Sequence, residues 1–200
     1  MMNLADIVND YIQVHRDGAR DEMEEFARLP SLRSAIRHAA LCHWLPGNKR
    51  HPHQRRIPAA LLQLAERTLQ RVAHRLTKSR NFEDLHREVG RAIGMKGIAD
   101  LTIYDITHRI GAYLGKDPRV VYLHRGTAEG ARHLGFKGST LDPELLPAAF
   151  SKLTPAEIED CLCIYKSDLA MAGTGKLRRL GRARLARPIG CISVQRRCCN

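Results

Sequence analysis

The stretch 94–138 reads GMKGIADLTIYDITHRIGAYLGKDPRVVYLHRGTAEGARHLGFKG, and its punctuation sets the reading of the whole chain. Lys96-Gly97-Ile98-Ala99 is a tight glycine turn; a helix follows it, and Pro118 marks a break. A second helix, rich in small residues, starts near Arg125 and stops at Gly135. A Gly-x-small turn that opens a helix leaves several backbone N–H groups pointing outward, an arrangement suited to a phosphate.

Outward from that stretch the pattern is helical. Leu4, Ile7, Val8, Tyr11 and Ile12 recur at helical spacing. Asp21, Glu22, Glu24 and Glu25 open a second short helix, where acids suit the positive end of the dipole. Ser31 caps a third that runs toward Trp44 before Pro46-Gly47 breaks it. Pro58 begins a helix with an apolar stripe from Leu61 to Leu76, ending near Thr77. Asn81 caps the next, and Thr154-Pro155-Ala156-Glu157 is a capping box that opens a helix to about Leu169. With 5% aromatic residues and many Ala and Leu, the composition favours helices packed on helices. The expectation is an all-α, compact multi-helix domain over residues 1–170 with about eight helices, its one strand-like piece at 119–123, followed by a basic tail over 171–200.

The 94–138 segment resembles the helix-hairpin-helix core of the DNA glycosylase superfamily. In that family the pattern is a Gly-hydrophobic-Gly turn, a Thr, a helix, an extended step carrying an Asp, and a helix ending in Leu-Gly. Gly97, Ile98, Ala99 and Thr102 match the hairpin, and Leu134-Gly135 match the closing helix. His124 stands where the family keeps its Asp, and Leu101 stands where bifunctional members keep a Lys. The resemblance covers about a quarter of the chain. It implies a base-excision glycosylase that extrudes a nucleotide from duplex DNA and releases a modified or foreign base, as in heavily modified viral DNA. With no Lys to form a Schiff base, the implied enzyme is monofunctional.

Such chemistry needs a carboxylate to stabilise positive charge that develops on the sugar. Asp105 is the candidate in the hairpin's own helix. At 100° per residue, Ile103, Ile106, Ile110, Tyr113 and Leu114 share one face, while Asp105, His108 and Arg109 fall opposite. Asp105 then reads either as the electrostatic stabiliser on the cleft wall or as an i,i+4 partner of Arg109. His124 is the second catalytic candidate, a neutral imidazole able to activate water or protonate a base, or else a structural histidine ordering its loop. Phosphate contacts are expected at Lys96, Gly97, Ala99 and Thr102 in the hairpin, at Arg125 and Thr127 opening the next helix, and at Arg55 and Arg56 in the loop GNKRHPHQRRIP. Gly126, Thr127, Ala128, Gly130 and Ala131 leave one helix flank almost bare, for the close approach of another backbone or of a DNA strand. Trp44, beside the basic loop, reads as a base-stacking platform or as core.

The formal charge of +12 is unevenly spread. Residues 1–168 hold 25 basic groups against 21 acidic, and the last 32 hold eight against none. That tail suits either salt-sensitive phosphate binding or plain solvation. The six cysteines show no zinc spacing, nor the four-cysteine run of iron–sulfur glycosylases, so no metal and no cofactor is expected. The chain has no run of about 18 apolar residues and its first residues lack a basic leader, so no membrane association and a cytoplasmic location are expected. The expected partner is double-stranded DNA; oligomeric state is left open. The rival readings are a noncatalytic helix-hairpin-helix DNA-binding protein and a helical adaptor whose tail binds RNA or acidic proteins.

Overall fold

The computed structural model describes residues 2–44, 49–50 and 54–173, without the side chains of Trp44 and Lys49. The expectations for Trp44 as a platform and for the tail from 174 therefore lie outside the described residues.

The described chain is mostly α-helical. The helices are α1 (Leu4–Val14), α2 (Arg16–Ala27), α3 (Leu32–Ala40), α4 (Ala59–Arg71), α5 (Ala73–Lys78), α6 (Phe82–Ile93), α7 (Asp100–Leu114), α8 (Arg125–His133), α9 (Pro155–Ile164) and α10 (Lys166–Gly173). Two short antiparallel pairs accompany them: β1 (His43–Trp44) with β2 (Lys49–Arg50), and β3 (Val121–Tyr122) with β4 (Thr140–Leu141). The expected caps are in place. Ser31 accepts from the N–H of Ser34 at 3.2 Å, Asn81 from that of Asp84 at 2.8 Å, and Thr154 forms a complete capping box with Glu157.

Two long helices read from sequence are each broken in two. The helix from Pro58 ends at Arg71 and restarts at Ala73, and the one from Pro155 ends at Ile164 and restarts at Lys166. Neither junction, Val72 or Tyr165, carries Gly or Pro, so the bends come from packing rather than from local punctuation. The strand-like piece at 119–123 contains β3, and its partner β4 was not anticipated from the sequence.

Apolar side chains collect in two bodies. Helices α1, α8, α9 and α10, with β3 and β4, surround Ile7, Tyr11, Phe150, Ile158 and Leu162. Helices α2 to α7 surround Phe26, Ile36, Leu69, Leu85 and Ile106. A small aromatic set, Phe82, Tyr104 and Tyr122, bridges them. Helix α7 is buried on nearly every side, including Thr102, Thr107 and Arg109. The face of α7 read as polar is therefore an interior face, and it looks into the seam between the two bodies.

Candidate active site

The seam opens to solvent as a cleft between α2 and α9. Its outer part, about 350 Å³, is lined by Ala19 and Met23 of α2, His108 of α7 and Ala156 and Asp160 of α9, among others. Arg20 spans its rim, donating to Glu157 at 2.9 Å. A smaller cavity of about 120 Å³ continues inward from the same walls, and its lining adds Tyr104, Asp105, Arg109, Glu159 and Glu22.

Asp105 stands on the inner wall, as the cleft-facing reading of α7 requires. Its carboxylate accepts a hydrogen bond from Gln54 Nε2 at 2.6 Å, and Gln54 is itself buried. Arg109 is 4% exposed; it pairs with Glu22 of α2 at 2.9 Å and lies 5.8 Å over the Phe26 ring. The Gln54 carbonyl also accepts from Arg109 at 3.4 Å, so this amide ties Asp105 and Arg109 into one network. A buried guanidinium with a paired carboxylate fixes the wall on which Asp105 sits.

Sequence reasoning did not single out Glu159 and Asp160, which face Asp105 from α9. Glu159 is 5% exposed and accepts a hydrogen bond from the Thr127 hydroxyl. Asp160 accepts one from Tyr11 at 3.3 Å. Burial, then the neighbouring acids, pushes both carboxyls upward from their ordinary range, because the seam is poorly solvated and several acids share it. The available signal was a Glu-Asp pair set inside an apolar run, Ile158 to Leu162. Tyr104 lies between the acids of α7 and α9. It is 2% exposed, its hydroxyl finds no hydrogen-bond partner among the described residues, and burial raises its pKa well above the usual phenol range.

No protein-family model, curated protein or solved structure matches the chain. The assignment of roles therefore rests on geometry.

His124 stands behind Tyr104, ring centroids 4.8 Å apart, and it is not a wall residue of the inner cavity. It is the N-cap residue of α8 but makes no side-chain cap, and its buried Nε2 has no partner among the described residues. Burial lowers its pKa, as it does for His86 and His108. These imidazoles and Tyr122 form a stack around Tyr104, with His86 4.7 Å from Tyr122 and His108 5.7 Å from Tyr104.

The hairpin residues divide. Lys96, Gly97 and Ala99 are exposed, Gly97 has φ +98°, and α7 begins with no side-chain cap at Ala99. Thr102 is 5% exposed, so its hydroxyl is turned inward, away from any strand at the turn. Arg125, Arg55 and Arg56 are exposed. Thr127 is fully buried against Glu159, which leaves its hydroxyl no route to a DNA phosphate. The bare flank of α8 is filled by protein. A Cβ at Gly130 would stand 2.1 Å from the Leu162 carbonyl oxygen, and one at Gly126 would stand 2.6 Å from Cys163 Sγ. The close approach is thus the backbone of α9, and it brings Thr127 onto Glu159.

Proposed function

We propose that the chain is a DNA-binding base-excision glycosylase, monofunctional, acting on a modified or foreign base extruded from duplex DNA. One observation carries the reading: Asp105 is fixed on the wall of a cleft whose inner end is polar and whose surroundings are two apolar bodies. A carboxylate held there stabilises positive charge on a sugar brought against it as its base departs. Low solvation makes that charge count for more than it would in water.

The α6–α7 hairpin supports the DNA half of the reading. Its turn offers Gly97 and Ala99 at the surface, beside Lys96, and the uncapped start of a 15-residue helix. Arg55, Arg56 and Arg125 add exposed cations. At the family's Schiff-base position stands Leu101, so release is by water rather than by an amine. Double-stranded DNA is the partner. A noncatalytic DNA-binding role remains the rival, and it is favoured by the ties that hold Asp105 to Gln54 and His124 to Tyr104.

The test is release of free base, followed by alkali-induced strand cleavage, on duplexes that carry a panel of modified bases and on modified viral DNA. Release by the unaltered chain and its loss in Asp105→Asn support the reading. Duplex binding with no release on any substrate leaves the noncatalytic role.

A further inference from the structure

The outer face of α6 carries a charge pattern that the seam does not use. Asp84, Arg87, Glu88 and Arg91 recur at steps of three, one and three, which sets them on one side of the helix. The opposite side belongs to the core: Leu85, Val89 and Ile93 are fully buried, and a Cβ at Gly90 would stand 3.8 Å from Ile103 of α7. The charged face therefore looks away from α7. Short helix α5 supplies a second wall. Arg75 and Lys78 of its last turn, with Arg80 from the link to α6, enclose with that face an open groove of about 670 Å³. The buried Ser79 hydroxyl donates to the Arg75 carbonyl at 3.3 Å and ties the link back to α5. The groove shares no lining residue with either part of the cleft.

Five cations and two carboxylates line it. Asp84 is shared by Arg87 and by Arg80, the latter at 2.9 Å, and Glu88 is paired with Arg91 at 2.7 Å. The side chains of Arg75 and Lys78 are exposed and make no ion pair among the described residues. Cations in a last turn complement the helix dipole, which accounts for Arg75 and Lys78 but leaves Arg80 and Arg87 crowded on one carboxylate. An excess of positive charge gathered in a groove repels itself, and a bound anion relieves that repulsion.

The rest of the lining selects the anion. The walls present no aromatic ring for an unpaired base to stack on and no apolar side chain to anchor a peptide. A duplex lying along α6 offers a phosphate about every 3.4 Å of axis on each strand, so Arg87 and Arg91, a turn or roughly 6 Å apart, meet every second one.

We propose that this groove binds the phosphate backbone of duplex DNA, as a surface separate from both the hairpin turn and the seam. Its contacts are to charge, so it does not select sequence. It requires no base release and serves a noncatalytic DNA-binding chain equally well.

A protection map and a salt titration on full-length protein test the surface. Lysine acetylation is read by mass spectrometry with and without a saturating short duplex. Lys78 should be protected, while Lys137, exposed beyond α8, reacts as before. The same protection should persist in Gly97→Asp at saturating duplex. Arg75→Ala combined with Lys78→Ala should lower the slope of log affinity against log salt by about two, and alike for every duplex sequence. Arg132→Ala combined with Lys137→Ala removes the same charge elsewhere and should leave the slope as it was. Equal protection of Lys78 and Lys137, protection lost in Gly97→Asp, or equal slope changes in the two double variants overturns the proposal. Stronger protection of Lys78 by single-stranded DNA or by polyglutamate than by duplex also overturns it. Base release by the unaltered chain without these effects leaves the glycosylase reading intact.

Discussion

The hairpin turn at 94–99 and the acid-lined seam are built in opposite ways. The turn is local: six consecutive residues with a glycine at φ +98° and a helix start without a side-chain cap, anchored by buried Ile98 and presenting Lys96, Gly97 and Ala99 to solvent. The seam is assembled from distant parts of the chain. Thr127 reaches Glu159 across 32 positions, Gln54 reaches Asp105 across 51, and Tyr11 reaches Asp160 across 149. The turn has backbone chemistry that many sequences could supply, and it suits a ligand without sequence identity, such as a phosphate chain. The seam has side-chain chemistry that exists only when both apolar bodies are in place. The proposed contact with nucleic acid and the proposed work on a base are therefore separable, and each can be broken alone.

The largest separation is expected from Asp105→Asn. Release should fall on the order of 10³-fold or more, since a charge serving a cationic transition state contributes several kcal/mol, while duplex affinity measured by fluorescence anisotropy stays within about twofold. Full activity in that variant would return Asp105 to a structural role beside Gln54 and Arg109.

Gly130→Ala attacks the seam through packing. Its new Cβ would meet the Leu162 carbonyl oxygen at 2.1 Å, and that atom belongs to a helix backbone that cannot yield without moving α9. Destabilisation of about 3 kcal/mol is expected, in the upper range for overpacking, and thermal melting reads it. An unchanged melting temperature would mean that α8 and α9 do not meet as described.

At the other site, Gly97→Asp places a negative charge at the proposed phosphate contact and forces a side chain into φ +98°, with Leu61 Cδ2 only 2.8 Å from the new Cβ. Duplex affinity should drop roughly ten- to hundredfold at low salt, with a stability loss of about 1–2 kcal/mol, and the helical circular dichroism should persist. Equal affinity in a folded variant removes the hairpin from DNA binding.

His124→Gln sharpens the boundary of the seam. Because His124 touches the site through Tyr104, the rate should fall about tenfold, less than for an acid–base group. A far larger loss would make the imidazole a participant.

The smallest effect is in stability against pH. The raised carboxyls of Glu159 and Asp160 bind protons more tightly folded than unfolded, so their contribution is present at acid pH and is lost as pH rises past the ordinary carboxylate range. The buried imidazoles His86, His108 and His124 have lowered values, and theirs is lost as pH falls through the ordinary histidine range. Glu159→Gln should therefore raise the melting temperature by a few degrees, about 1 kcal/mol, at about pH 8, with the gain vanishing near about pH 4. A gain that grows toward acid pH would reverse the sign of the argument.

These differences also mark what was legible in the sequence. Ser31, Asn81 and Thr154 announce helix starts because a cap is a contact across three residues. The bends at Val72 and Tyr165 carry no such mark, since each is imposed by neighbours far along the chain. Asp105 could be named because it lies in the hairpin's own helix. Thr127 was assigned outward from its place at a helix start, and it turned inward because Gly126 and Gly130 seat α8 on α9. Glu159 and Asp160 were readable only as two acids in an apolar run. Their company was not, because Tyr104, Thr127 and Tyr11 belong to three other helices.

The contact between Gly130 and Leu162 has a consequence beyond packing. It acts as a spacer of zero thickness, since the separation of the two helix axes is set by backbone touching backbone. The reach from the Thr127 hydroxyl to the Glu159 carboxyl is therefore fixed by an atom that is missing, the Cβ that glycine lacks. A buried residue with no side chain thus calibrates the position of an acid on the wall of the cleft.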